Sequence, residues 1–251
     1  MSEYLSDEEQ VARLKSVIKN YGSSVLTGGL LALTAYFGWN YWQNNQAADA
    51  AKASLQFQQL SQSSATVTDK ASQSKFISEV QKLVKDYPSS ASALMALWLQ
   101  AKVTSQQGEW SSAEKALTQA TEMKSPDEGL SAITWLRLAE VQTQEGKLDA
   151  ALASLNHITL DAFTPSRDEL KGDILVQKKD VNGAKQAYES AWAALTKRQT
   201  PRDLLKVKMT ALGLNPVDIK PLSPVKEAAP VAPDSAPNAS APQPQPGAAS
   251  S

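Results

Sequence analysis

The side chains able to do chemistry are few in this chain, and their spacing points away from catalysis. His157 is the single histidine, and there is no cysteine among the 251 residues. Lack of cysteine removes thiolate nucleophiles, disulfides, Cys-based metal sites and a thiol-linked lipid anchor at once. His157 alone has an ordinary pKa near neutrality. No nucleophile pattern surrounds it, so packing or surface exposure is its expected role, within a helix. No H-E-x-x-H pair, no Cys/His ligand spacing and no glycine-rich phosphate loop after a strand occurs. Asn238-Ala239-Ser240 has the form of a glycosylation acceptor, a pattern too short to carry weight. A net charge of −1 leaves no basic footprint for nucleic acid. No enzymatic activity, cofactor or metal is expected. The chemistry that remains is the binding of other proteins.

The elements that would position such binding are repeated helices. Gly108-Glu109-Trp110-Ser111-Ser112-Ala113 lines up with Gly146-Lys147-Leu148-Asp149-Ala150-Ala151, and more weakly with Lys179-Asp180-Val181-Asn182-Gly183-Ala184. The spacings are close to the roughly 34 residues of a tetratricopeptide unit. Seven residues before each turn stands a small residue, Ala101, Ala139 and Gly172, where two helices can touch. Leu117, Leu155 and Tyr188 follow each turn at a shared position, and the second helices are expected to end at Ala120, Ile158 and Ala191. Prolines come next, at Pro126, Pro165 and Pro201. The third copy is degraded, with Asp168 in the tryptophan slot and Lys179 in the turn-glycine slot. The reading is an all-α solenoid with units at about 90–126, 129–163 and 165–197. A helix pair at 43–62 and 70–87 caps the stack, since repeats cannot bury their faces singly. An irregular α-bundle is the alternative. On the concave side of such a stack the first helices would present Met95, Trp98, Ile133 and Leu136, with Lys102 and Glu140 one turn later. That groove is apolar and suits hydrophobic or unfolded segments. Alternatively, Trp98 and Leu136 are simply buried against neighbouring helices.

Ahead of the repeats, residues 21–42 (YGSSVLTGGLLALTAYFGWNYW) carry no charge, and charges stay absent from Asn20 through Ala48. At about 1.5 Å per residue this stretch covers roughly 33 Å, enough for a hydrocarbon core of about 30 Å. Leu30, Leu31 and Phe37 contribute to its apolar interior. Tyr21 marks one end, and Tyr36, Trp39, Tyr41 and Trp42 crowd the other, as expected of rings at headgroup level. Three basic residues (Arg13, Lys15, Lys19) precede it and one (Lys52) follows closely, which places the N-terminus in the cytoplasm. Ala48-Asp49-Ala50 imitates a cleavage site but lies well past the apolar run, so an uncleaved anchor fits better. Residues 1–20 read as a short amphipathic segment on the cytoplasmic face. Ser24, Gly28 and Ala32 recur every four residues, either as a helix-docking stripe or as the ordinary small-residue content of membrane helices. Nine of the 13 prolines lie from Pro216 onward among Ala, Ser and Gln, so residues 213–251 are expected to be a disordered tail.

Gly38-Trp39-Asn40-Tyr41-Trp42 at the membrane exit, the following Ala53-Ser54-Leu55 and the three repeat units together resemble the YfgM family over about residues 3–212. The resemblance implies a single-pass protein of the bacterial inner membrane with a periplasmic repeat domain. It implies an ancillary subunit of the SecYEG translocon, with a PpiD-like membrane-anchored chaperone and newly translocated secretory proteins as further partners besides membrane lipid. It brings no catalytic residue. Two other readings share the same elements: a scaffold for envelope or division complexes, and a stress-signalling regulator acting through residues 1–20.

Overall fold

A computed structural model describes residues 7–123 and 127–220, and every regular element among them is helical. The first, α1 (Asp7–Ser63), is one continuous helix of 57 residues, about 85 Å long. No proline interrupts it, and the alanines, leucines and glutamines around its glycines, two of them adjacent at Gly28-Gly29, hold the helix. Only its last turns dock: Ala53 and Leu60 are buried, while the residues described between Thr27 and Lys52 are exposed. A 3₁₀ turn over Ser64–Thr66 breaks the helix, and α2 (Lys70–Asp86) starts on a capping box in which Asp69 and Ser72 satisfy each other's backbone donors.

Three helix pairs follow: α3 (Ala91–Gln106) with α4 (Trp110–Glu122), α5 (Glu128–Gln144) with α6 (Leu148–Leu155), and α7 (Thr164–Gln177) with α8 (Val181–Lys197). A further helix, α9 (Asp203–Ala211), is the last regular element among the described residues. Each pair turns through one residue in the left-handed region, Gly108 (φ 76°), Gly146 (φ 75°) and Lys179 (φ 63°). The residue after it donates its N–H five residues back: Glu109 to Thr104, Lys147 to Gln142 and Asp180 to Leu175, each at 2.9 Å. This closes the orphan carbonyls of the first helix. Glycine does so without steric cost, whereas Lys179 holds the same geometry against its own Cβ.

Packing proceeds helix to neighbouring helix, as in a solenoid. One apolar cluster joins α1 through α5 around Phe76, Leu83, Leu94, Leu97 and Leu117. A second joins α5, α6 and α7 around Ala139, Leu155 and Ile174, and a third joins α8 and α9 around Trp192 and Leu205. The small residues expected at the helix crossings are all buried, Ala101 at 3% and Ala139 at 0% exposure, and Gly172 as well. A Cβ on Gly172 would lie 2.3 Å from Tyr188 Cε1 and 2.4 Å from its Cδ1. The larger ring in the third pair therefore requires the smaller partner. Gly172→Ala is expected to lower stability by about 1–2 kcal/mol: overpacking costs about 1–3 and the alanine returns up to about 1 in helix propensity. Thermal unfolding checks this, and adding Tyr188→Leu, which restores the Ala/Leu pairing of the other units, should recover most of the loss.

Several boundaries differ from the sequence expectations. Helix α6 stops at Leu155, because its last turn tightens into three-residue bonds that swing Ile158 inward to 1% exposure. His157 consequently sits in the loop after the helix. Helix α8 runs on to Lys197 rather than ending at Ala191, and Pro165 starts α7 at a first-turn position, where its missing N–H is harmless. Pro126 lies outside the described residues. The chain does not loosen at 213: Leu212, Leu214 and Ile219 pack on the third cluster, and Trp192 Nε1–H donates to the Val217 carbonyl at 3.1 Å. The rest of the expected tail, from Pro221, lies outside the described residues. Among the described residues no helix is long and apolar enough to cross a membrane. The charge-free stretch of α1 is long, but glycines, serines and threonines dilute its leucines, and its aromatics are only weakly apolar.

Candidate protein-binding groove

Facing first helices build the groove. On α3 the side chains of Trp98, Ala101, Lys102 and Ser105 recur at three- and four-residue intervals, so they share one face. On α5 Ile133, Leu136, Arg137, Glu140 and Val141 do the same, and Leu117 of α4 closes the floor. Together they enclose about 550 Å³, within the usual range for a ligand pocket of about 300–1,000 Å³. Five of the six residues expected there line this one cavity: Trp98, Lys102, Ile133, Leu136 and Glu140. Met95 does not. One turn earlier on α3, it packs half-buried on the first apolar cluster instead.

Trp98 is the wall of the groove rather than a free ring, with 8% of its surface exposed. Its Nε1–H donates to Thr134 Oγ1 at 3.0 Å, and that hydroxyl donates in turn to the Leu130 carbonyl at 2.8 Å. The indole is therefore fixed in orientation by a satisfied buried pair. Arg137 lies over its face, the guanidinium carbon 4.4 Å from the ring centroid, a cation–π contact. Ile133 and Leu136 are half-buried and form the apolar middle. Lys102, Arg137 and Glu140 are exposed at the rim. Loss of hydration against the groove wall holds the Glu140 carboxyl above the ordinary glutamate range, and the Arg137 charge opposes this in part. The arrangement is an apolar slot with a rim that is net positive.

Arg137 and Thr134 were not anticipated from sequence. The signal for Arg137 was available: it stands four residues after Ile133, hence on the same helical face. In the third pair Asp168 stands where the second pair has Trp135. Asp168 is buried at 6% exposure, accepts from Arg167 Nε at 2.7 Å and from Ser190 Oγ at 2.5 Å, and so turns that crossing polar. His157 is exposed and stacks on Trp135, ring centroids 3.9 Å apart and planes 11° from parallel. Among the described residues no group of three or more His, Asp or Glu could hold a metal ion.

On α1, Leu30, Leu31, Tyr36, Phe37, Trp39 and Tyr41 are all more than half exposed, and nothing lies within 4 Å of a Cβ built on Gly28. Gly28 and Ala32 are exposed on the expected stripe, whereas the side chains of Tyr21, Ser24 and Trp42 lie outside the described residues.

A family model described as a tetratricopeptide repeat-like domain matches residues 15–214. Among curated proteins, the chain is 33% identical over 212 residues to an ancillary SecYEG translocon subunit of Haemophilus influenzae, covering 84% of this chain and 100% of that one. A protein of the same description from Aggregatibacter actinomycetemcomitans is 31% identical, over 76% of this chain and 91% of its own length. That of Escherichia coli K12 is 29% identical, over 76% and 89% respectively. No solved structure matches the chain significantly.

Proposed function

Because this chain belongs to the YfgM family of proteins with a tetratricopeptide repeat-like domain, we propose that it is a non-enzymatic accessory subunit of the Sec translocon. Its relatives are described as ancillary SecYEG translocon subunits, and the match extends over the whole length of the Haemophilus protein. Residues 21–42 anchor the protein in the inner membrane, with residues 1–20 in the cytoplasm and the repeat domain in the periplasm. The charge-free run, the basic residues before it and the row of exposed leucines and aromatics on α1 support this topology. A mean hydropathy treats Trp and Tyr as polar, although they are favoured at the membrane interface. The span is therefore marginal rather than absent, and a partner helix approaching along Ser24, Gly28 and Ala32 would stabilise it.

The single observation that carries the binding role is the slot between α3 and α5. Its apolar middle accepts side chains of a partner chain, and its rim of Lys102 and Arg137 favours segments with an acidic neighbour. A PpiD-like chaperone and emerging secretory chains are the partners it would serve. Mild-detergent affinity purification of the tagged full-length protein, with co-purifying proteins identified by mass spectrometry, tests the reading. Channel subunits and a periplasmic chaperone are expected, and Gly28→Leu in the same preparation should deplete the channel subunits without loss of the bait. Recovery of division or envelope-assembly proteins with no channel subunit would overturn it in favour of a scaffold.

A further inference from the structure

The geometry points to a second binding site, a polar cavity between α6 and α8 that takes an extended peptide segment through an acidic side chain. Each second helix starts two residues after the left-handed residue of its turn. From there α4 runs 13 residues and α8 runs 17, whereas α6 stops after 8. The length missing relative to α4, about 7 Å, is replaced by the loop Asn156–Thr159, and a cavity of about 690 Å³ opens beside it. Asn156 and Thr159 stand on one side and Gln186 and Ser190 of α8 on the other, with Arg167, Asp168 and Lys171 of α7 between them. The cavity shares no residue with the slot between α3 and α5.

The two cations of the cavity select the ligand. Arg167 donates Nε–H to Asp168 Oδ1 at 2.7 Å and Nη1–H to the Ile158 carbonyl at 3.0 Å, and only 8% of the Asp168 side chain is exposed. The guanidinium is thus held at two of its nitrogens, while Nη2 bonds to nothing among the described residues. A buried ion pair adds little net stability. Its consequence here is a fixed orientation of Arg167. Asp168 is satisfied by Arg167 and Ser190, and Asp180, the other carboxylate at the cavity, caps the Gly183 N–H at 2.9 Å. Lys171, one turn beyond Arg167 on the same helical face, is exposed and has neither a hydrogen bond nor an ion pair among the described residues. The uncommitted charge is therefore positive, and an oriented arginine fork with a lysine beside it matches a carboxylate. The side chains of Asn156 and Gln186 also lack partners among the described residues. Each amide offers a donor and an acceptor, the pattern that a peptide group complements. Together they favour a carboxylate carried on a polypeptide over an isolated anion.

The test immobilises two short peptides of serine, alanine and glycine, one carrying spaced glutamates and the other glutamines in their place. Equilibrium binding of the full-length protein in mild detergent is then measured on each. Neither peptide has a side chain large enough to fill the apolar slot between α3 and α5. The glutamate peptide is expected to bind about tenfold more tightly than the glutamine one. Lys171→Glu should weaken it about fivefold or more, through the lost ion pair and the repulsion put in its place. Lys171 is exposed, so this variant keeps its fold and remains informative even if Arg167→Gln, expected to weaken binding at least as much, unfolds. Lys102→Glu, at the rim of the other slot, should change nothing. Equal binding of the two peptides, indifference to Lys171→Glu, or an equal loss with Lys102→Glu would overturn the inference. So would displacement of the glutamate peptide by phosphatidylglycerol mixed into the micelles, which would assign the cations to lipid headgroups.

Discussion

Replacing Lys208 with methionine is expected to lower stability by about 3 kcal/mol, roughly 6–12 °C in Tm for a domain of this size. Lys208 Nζ donates to Glu169 Oε1 and to Asp173 Oδ2, both at 2.8 Å, while Arg202 Nη1 donates to Glu169 Oε2 and Tyr188 OH to Asp173 Oδ1, both at 2.7 Å. Only 11% of the Glu169 side chain is exposed. Methionine fills the same volume but leaves that carboxylate with Arg202 alone, in a site that penalises an unpaired charge. Burial by itself would push the Glu169 carboxyl up, yet Lys208 and Arg202 overcome it and hold it below the ordinary glutamate value. Burial would likewise depress Lys208, and Asp173 and Glu169 reverse this to raise it. A lowered carboxylate contributes stability above its ordinary range that is lost as pH falls through the folded value. A raised lysine contributes stability below its ordinary value of 10.5 that is lost as pH rises through the folded one. The network is thus fully effective from about pH 5 to 10. Denaturant midpoints at pH 7 and pH 4 check the claim: the wild type should lose stability on acidification and Lys208→Met should lose less, because protonating Glu169 then relieves an underpaired charge. Equal acid sensitivity in both would show that Lys208 does not set the Glu169 charge.

This network marks where sequence reading stops. Its members come from α7, α8, α9 and the residue before α9, and the bond from Lys208 to Glu169 joins residues 39 apart, so no local pattern of charges announces it. The repeat was legible for the opposite reason. A turn glycine with positive φ, a small residue seven positions earlier and an apolar residue after the turn are local steric requirements, and they recur at Gly108/Ala101/Leu117 and Gly146/Ala139/Leu155. Even the degraded copy kept its geometry, since Lys179 holds the turn and Gly172 makes room for Tyr188. The groove was legible as far as helical periodicity reaches. Lys102 and Glu140 follow from Trp98 and Leu136 by one turn, whereas the exclusion of Met95 depends on how α3 rotates against its neighbours. The ordered stretch at 214–219 was hidden by composition. Its proline and its polar neighbours read as tail, but Leu214 and Ile219 are enough to bind it to α8 and α9.

Leu31→Lys should convert most of the protein from a membrane-embedded form to one released by alkaline extraction. Val25, Leu26, Leu30, Leu31, Leu33 and Phe37 contribute about 0.3–0.6 kcal/mol each to insertion, about 2–4 in all, and the small polar residues between them return part of it. One lysine near the centre of the span costs about 2.5–3.5 kcal/mol, which matches the whole apolar gain. A strongly apolar span would absorb such a charge, but no helix among the described residues is that apolar, which leaves the proposed anchor no margin. Leu31 is 67% exposed on α1, so the substitution removes no packing from the repeat domain. Leu55→Lys serves as the control: at 62% exposure on the same helix but beyond residues 21–42, it should leave fractionation unchanged. If Leu31→Lys remains wholly in the membrane while Leu55→Lys does too, lateral contacts with a partner helix must hold the segment more strongly than its own hydrophobicity. Repeating the extraction with Gly28→Leu added then separates the two contributions, because a span held through its small-residue face fails when that face is filled.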